Sequence, residues 1–132
     1  MMRLISLLIL ASTLLFSGFV IAEEEEAAKP KTAYFSLKPS LIANVTGKAK
    51  YARCDIQLMV EEDSMPDVQL HAPAIRHELL LLLAEQKGAD LQDPKGKERF
   101  RQSALSAVGS VIKAQTGKNS IKDLFFTSFF VQ

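Results

Sequence analysis

The chain has 132 residues, with sixteen Lys and Arg against fifteen Asp and Glu, a formal charge of +1 and one cysteine. That length suits one domain rather than two. Setting Arg3 aside leaves fifteen bases and fifteen acids, so there is no basic surplus for nucleic acid, and a lone thiol excludes a disulfide scaffold.

Met1, Met2 and Arg3 form a minimal positive start, and residues 4–22 follow without a charge. The run closes on Val20-Ile21-Ala22, ahead of four consecutive glutamates. Small or modest residues at the last and third-last positions, then polar chain, fit a signal-peptidase site after Ala22. At about 1.5 Å per residue the run is also nearly long enough to span a bilayer, although Ser6, Ser12, Thr13 and Ser17 dilute it. Residues 1–22 therefore read as a signal peptide or an N-terminal membrane anchor. Either one places the rest of the chain outside the cytoplasm. Residues 23–32 read as an acidic linker and residues 33–132 as the folded domain.

Tyr34, Phe35, Ser36 and Leu37 predict a short extended segment, broken by Lys38-Pro39-Ser40. Residues 41–45 predict a strand, and Thr46-Gly47-Lys48 the turn after it. Residues 51–61 alternate clearly. Ala52, Cys54, Ile56, Leu58 and Val60 share one parity, and Tyr51, Arg53, Asp55, Gln57, Met59 and Glu61 the other. This is a half-buried strand with one wet face, long enough to need a bend or a bulge. Residues 62–66 end it, and Asp67 is placed to cap a short turn. Pro73 suits the first turn of a helix running to about Gln86, with Ile75, Leu79, Leu82 and Leu83 as its stripe and Leu80 and Leu81 widening it. Lys87-Gly88 stops that helix.

Asp93 and Pro94 predict the N-cap and first position of a second helix. Phe100, Ala104, Ala107, Val108 and Val111 fall on one arc, flanked by Leu105 and Ile112. Gly117 is the expected C-terminal stop. In the last stretch, residues 121–132, Leu124, Phe126 and Phe130 lie on one parity and Phe125, Phe129 and Val131 on the other. Apolar residues on both parities predict an interior strand covered on both faces. The order of strands, two helices and strand predicts an α+β fold: a small antiparallel or mixed sheet with two helices on one face.

Residues with chemistry to offer are few. His71 and His77 have no partner at metal-ligand spacing and read as surface histidines. Cys54 sits on the apolar parity of its strand and reads as a buried, inert thiol. Glu61, Glu62 and Asp63 read as solvated turn acids rather than a catalytic cluster. Ser103, Ser106 and Ser110 read as a polar face, or as small residues that let another helix come close. Lys95, Lys97, Arg99 and Arg101 oppose the dipole at the start of the second helix. They read as a solvated face, or as one kept for an acidic protein surface or anionic lipid headgroups. No catalytic, cofactor-binding or metal-binding residue is assigned, and no cofactor is expected.

Four pieces together resemble the flagellar basal body-associated FliL family. The first is Tyr34-Phe35-Ser36-Leu37-Lys38-Pro39 with the apolar residues 41–45, and the second is the alternating residues 51–62. The third joins the leucines of 79–83 to Leu91-Gln92-Asp93-Pro94-Lys95-Gly96-Lys97-Glu98-Arg99-Phe100-Arg101. The fourth runs from Val111-Ile112 through Ile121-Lys122-Asp123-Leu124-Phe125-Phe126-Thr127-Ser128-Phe129-Phe130-Val131-Gln132. The resemblance implies a stomatin-like α+β domain in the periplasm, at the inner membrane and the flagellar basal body. It implies a non-enzymatic protein that forms a homo-oligomeric ring, associates with the periplasmic part of the stator proteins, and supports rotation in swimming, swarming and chemotaxis. Family members carry a basic cytoplasmic tail before their membrane helix. Here three residues precede the apolar run, which also suits a secreted paralogue beside an anchored one. The leucines of 79–83 and the basic residues 95–101 are the expected assembly surfaces. Competing readings are a stomatin-like envelope scaffold unrelated to motility and a small secreted hydrolase, for which the sequence offers no nucleophile–base pair.

Overall fold

The computed structural model describes residues 31–132. Residues 1–22, and the linker as far as residue 30, lie outside the described part, and so do the expectations attached to them. Three strands form one antiparallel sheet in the order β1 (Thr32–Asn44), β2 (Tyr51–Glu61), β3 (Ile121–Val131). Between β2 and β3 come a 3₁₀ turn (Glu62–Ser64), α1 (Met65–Ala84), the short α2 (Gly88–Gln92) and α3 (Pro94–Thr116). α1 packs on β1 and α3 on β3, over the same face of the sheet. The architecture is the expected α+β one, with every strand pairing antiparallel.

β2 is the central strand, and its alternation decides the core. Ala52, Cys54, Leu58 and Val60 are fully buried and Ile56 nearly so, while the other parity is half-buried or exposed. Onto this row α1 sets Val68, Ile75, Leu79 and Leu83, and α3 sets Phe100, Ala104, Val108 and Ile112. The bulge expected in β2 falls instead on its two neighbours, which shift register against it. Residues 38–40 of β1 stand opposite Asp55 alone, and the Lys38–Pro39 peptide is cis. β1 therefore runs as one strand through the expected break. Arg76 of α1 donates to the Pro39 carbonyl there, and the Ser40 hydroxyl to Asp55.

β3 corrects the reading of an interior strand. It lies at the edge of the sheet, and its outer face is open. Thr127 is an extra residue between the pairs Ile56–Phe126 and Asp55–Ser128, and an extra residue reverses the side on which each following side chain emerges. Leu124 and Phe126 before it, and Phe129 and Val131 after it, thus stand opposite the buried row of β2. Apolar residues on both parities cover one face, not two. Phe125 and Phe130, opposite Gln57 and Arg53, remain 38% and 51% exposed.

α1 starts eight residues before Pro73, with Pro66 in its first turn. Pro73 is exposed, and the carbonyl it leaves without an intrahelical donor belongs to Gln69, also exposed. A proline on the wet side of a helix costs less than one on its packed side. α3 begins and ends as expected. Asp93 precedes it and Pro94 opens it, though the Asp93 side chain makes no cap hydrogen bond. Gly117 closes it at φ 84°, its N–H donating to Lys113 O at 2.8 Å.

Candidate assembly surfaces

The residues with reactive side chains are placed for structure. Cys54 is fully buried, and burial, reinforced by the neighbouring Asp55 charge, pushes its thiol up to about 12. A thiol held protonated through the physiological range is not a nucleophile. His71 and His77 leave α1 in different directions, one half-buried and one exposed. No group of three or more His, Cys, Asp or Glu among the described residues could hold a metal. Glu62 and Asp63 are exposed in the 3₁₀ turn, and Glu61 accepts from Lys118 Nζ at 2.7 Å.

The four cations at the start of α3 do not form one face. Arg101 turns inward. Its Nε and Nη2 donate to both oxygens of Glu98 at 2.8 and 2.7 Å, and its Nη1 donates to Asp123 Oδ1 at 2.6 Å and Leu124 O at 3.2 Å. These bonds keep the guanidinium charged, and the same bonds from Arg101 hold the Glu98 carboxyl below its usual range. Lys97 lies over the Phe129 ring, 5.4 Å from its centroid. Lys95 and Arg99 are exposed and, like Lys97, form no ion pair among the described residues.

Around Arg101 the two most distinctive stretches of the sequence meet. Phe100 stacks on Phe126 at 5.5 Å and meets Phe129 edge-on at 6.2 Å, while Phe126 and Phe129 touch at 4.8 Å. Gly96 lies in the turn above them. A β-carbon there would stand 1.8 Å from the Asp90 carbonyl oxygen, so only glycine lets α3 start this close to α2. Asp93-Pro94-Lys95-Gly96, Phe100-Arg101 and Asp123-Leu124-Phe125-Phe126 are therefore one joint between helix and edge strand. Residues 34–132 match the model of the flagellar basal body-associated protein FliL.

The chain belongs to the FliL family. It is a flagellar basal-body protein linked to motility, in a structural family of the flagellum. No curated protein matches it. Among the described residues no helix of this FliL-family domain is long and apolar enough to cross a membrane.

Two surfaces stand open on the domain. One is the outer sheet face, with Tyr34, Ile42, Phe125 and Phe130 between 38% and 57% exposed. The other is a groove between α1 and α3. Of the leucines 79–83, Leu79 and Leu83 are fully buried, Leu80 and Leu82 partly so, and Leu81 is 51% exposed. Most of the expected two-faced leucine surface is therefore covered by the domain itself. Leu81 instead joins Leu70, 71% exposed, along the stripe Leu70, Ala74, His77, Leu81. Sequence reasoning missed that stripe because starting the helix at Pro73 cut Leu70 away from it. Ser103, Ser106 and Ser110 are exposed on α3, and with Ala107 they line the groove and the depression that continues it.

Proposed function

We propose that this protein is a non-enzymatic scaffold of the flagellar motor, which associates with the periplasmic part of the stator units, self-assembles into a ring and supports rotation. The observation that carries this reading is the match of residues 34–132 to the FliL family. Beside it, the helix–strand joint locks α3 to β3 and leaves the outward sides of α1 and α3 open. The apolar residues 4–22 then serve as signal peptide or anchor, and residues 23–32 as an acidic tether, which puts residues 33–132 in the periplasm beside the inner membrane. A secreted form would work beside an anchored paralogue.

Gene disruption with complementation tests this reading. Flagella should still assemble, while torque in tethered cells and swimming or swarming fall, and the full chain should restore them. Unchanged rotation in the disrupted strain would favour an envelope scaffold unrelated to motility.

A further inference from the structure

The sheet has two free edges, because β1 and β3 each pair only with β2. A free edge presents main-chain N–H and C=O groups to which another strand can add. The ladder decides which residues of β3 present them. Tyr51 and Gln132 exchange both main-chain bonds, at 3.0 Å each way. Bonded and non-bonded pairs alternate along an antiparallel ladder, so Arg53, Asp55, Gln57 and Met59 also turn toward β3, and Leu58 turns away. Leu124, opposite Leu58, therefore points its N–H and C=O out from the edge of the sheet. Neither group is open. The Leu124 N–H donates to Asp123 Oδ1 at 2.8 Å, and the Leu124 carbonyl accepts from Arg101 Nη1 at 3.2 Å.

The same arginine crosses the edge. α3 lies over the inner face of the sheet, whereas Asp123 stands opposite Met59, on the parity that faces away from the helices. The bond from Arg101 Nη1 to Asp123 Oδ1, at 2.6 Å, thus runs around the free side of β3 from one face to the other. Glu98 holds the guanidinium from the helix side at 2.7 and 2.8 Å. A strand added here would part these charges, which is costly where they are partly buried. Beyond them Thr127 bulges, and only residues 128–131 remain as uninterrupted edge. The opposite edge is broken in a similar way. Pro39, in the bulge of β1, has no N–H, and its carbonyl accepts from Arg76 of α1. On each edge strand the helix packed above it gives an arginine to a main-chain carbonyl. We infer that the Arg101–Asp123 pair is an edge guard, which keeps a further strand, above all the β3 of a second copy, from adding to the sheet. Contacts between copies are thereby directed to the faces of the domain. This inference stands on the bonds around Leu124 and not on the motor reading.

The test compares the full chain with a variant carrying Arg101→Met and Asp123→Ala, which releases both main-chain groups of Leu124. Sedimentation well below the melting temperature should show the variant self-associating about tenfold more tightly than the unchanged chain, or more. Amide hydrogen exchange should slow at Leu124 and Phe126 as it does so. Arg101→Lys keeps the charge without the forked reach and should show a smaller gain, and it carries the test if the double variant does not fold. Phe100→Ala loses core packing with the guard in place and should gain no such association. A folded guard variant that associates no more than the unchanged chain would overturn the inference. So would association that leaves Leu124 and Phe126 exchanging freely, or an equal gain in Phe100→Ala, because lost stability would then be the cause.

Discussion

The two sides of α3 do opposite things with the same helical repeat. Its inner side is specific and saturated. Phe100 stacks on Phe126 and meets the edge of Phe129, Gly96 admits a carbonyl at a distance no side chain would allow, and Arg101 donates to Glu98, Asp123 and Leu124. Its outer side is small, cationic and open. Folding therefore depends on one side while the other stays open to solvent.

Substitutions can break this contrast. Phe100→Ala removes the largest fully buried side chain from beneath the joint and should destabilise the domain by about 3–5 kcal/mol in denaturant titration. Gly96→Ala forces α3 away from Asp90 and should cost about 1–3 kcal/mol by the same measurement. Cys54 gives a pH signature on the core side of β2. Its thiol ionises more easily unfolded, near 9, than folded, near 12. Its stabilising share is thus intact below about pH 9 and is lost as pH climbs toward about 12, at up to about 1.4 kcal/mol per pH unit. Cys54→Ala should flatten that alkaline limb of the stability curve. Arg99→Glu on the outer side should change stability by less than about 0.5 kcal/mol, yet alter motility when introduced on the chromosome. A large loss of stability there would erase the distinction between the two sides.

Much of this arrangement was legible in the residues. The alternation of β2 and the Gly117 stop of α3 follow from local periodicity and backbone preference and form as expected. Of the expected inner arc of α3, Phe100, Ala104 and Val108 are buried, whereas Ala107 and Val111 are half-buried toward the outer depression and Ile112, expected at the flank, is buried. The edge position of β3 was not legible, because a bulge at Thr127 and a second covered face leave the same apolar pattern in the sequence. Pro73 misled for a related reason. Its cost depends on which side of the helix meets water, and that is settled by what α1 packs against. The groove was half visible. The serines 103, 106 and 110 marked its α3 side, but Leu70 joined it only once α1 began at Met65. Arg101 looked like a fourth surface cation, and its inward turn depends on Asp123, twenty-two residues away.

The most direct test of the motor reading is site-specific photo-crosslinking in living cells. Probes at Gln69, Lys97, Ser106 and Lys113 would be read by mass spectrometry. The expected result is adducts to the periplasmic part of a stator subunit, with the probe at Ser106 strongest, together with adducts between copies of the chain. No adducts of either kind, from protein shown to be present and folded, would contradict it.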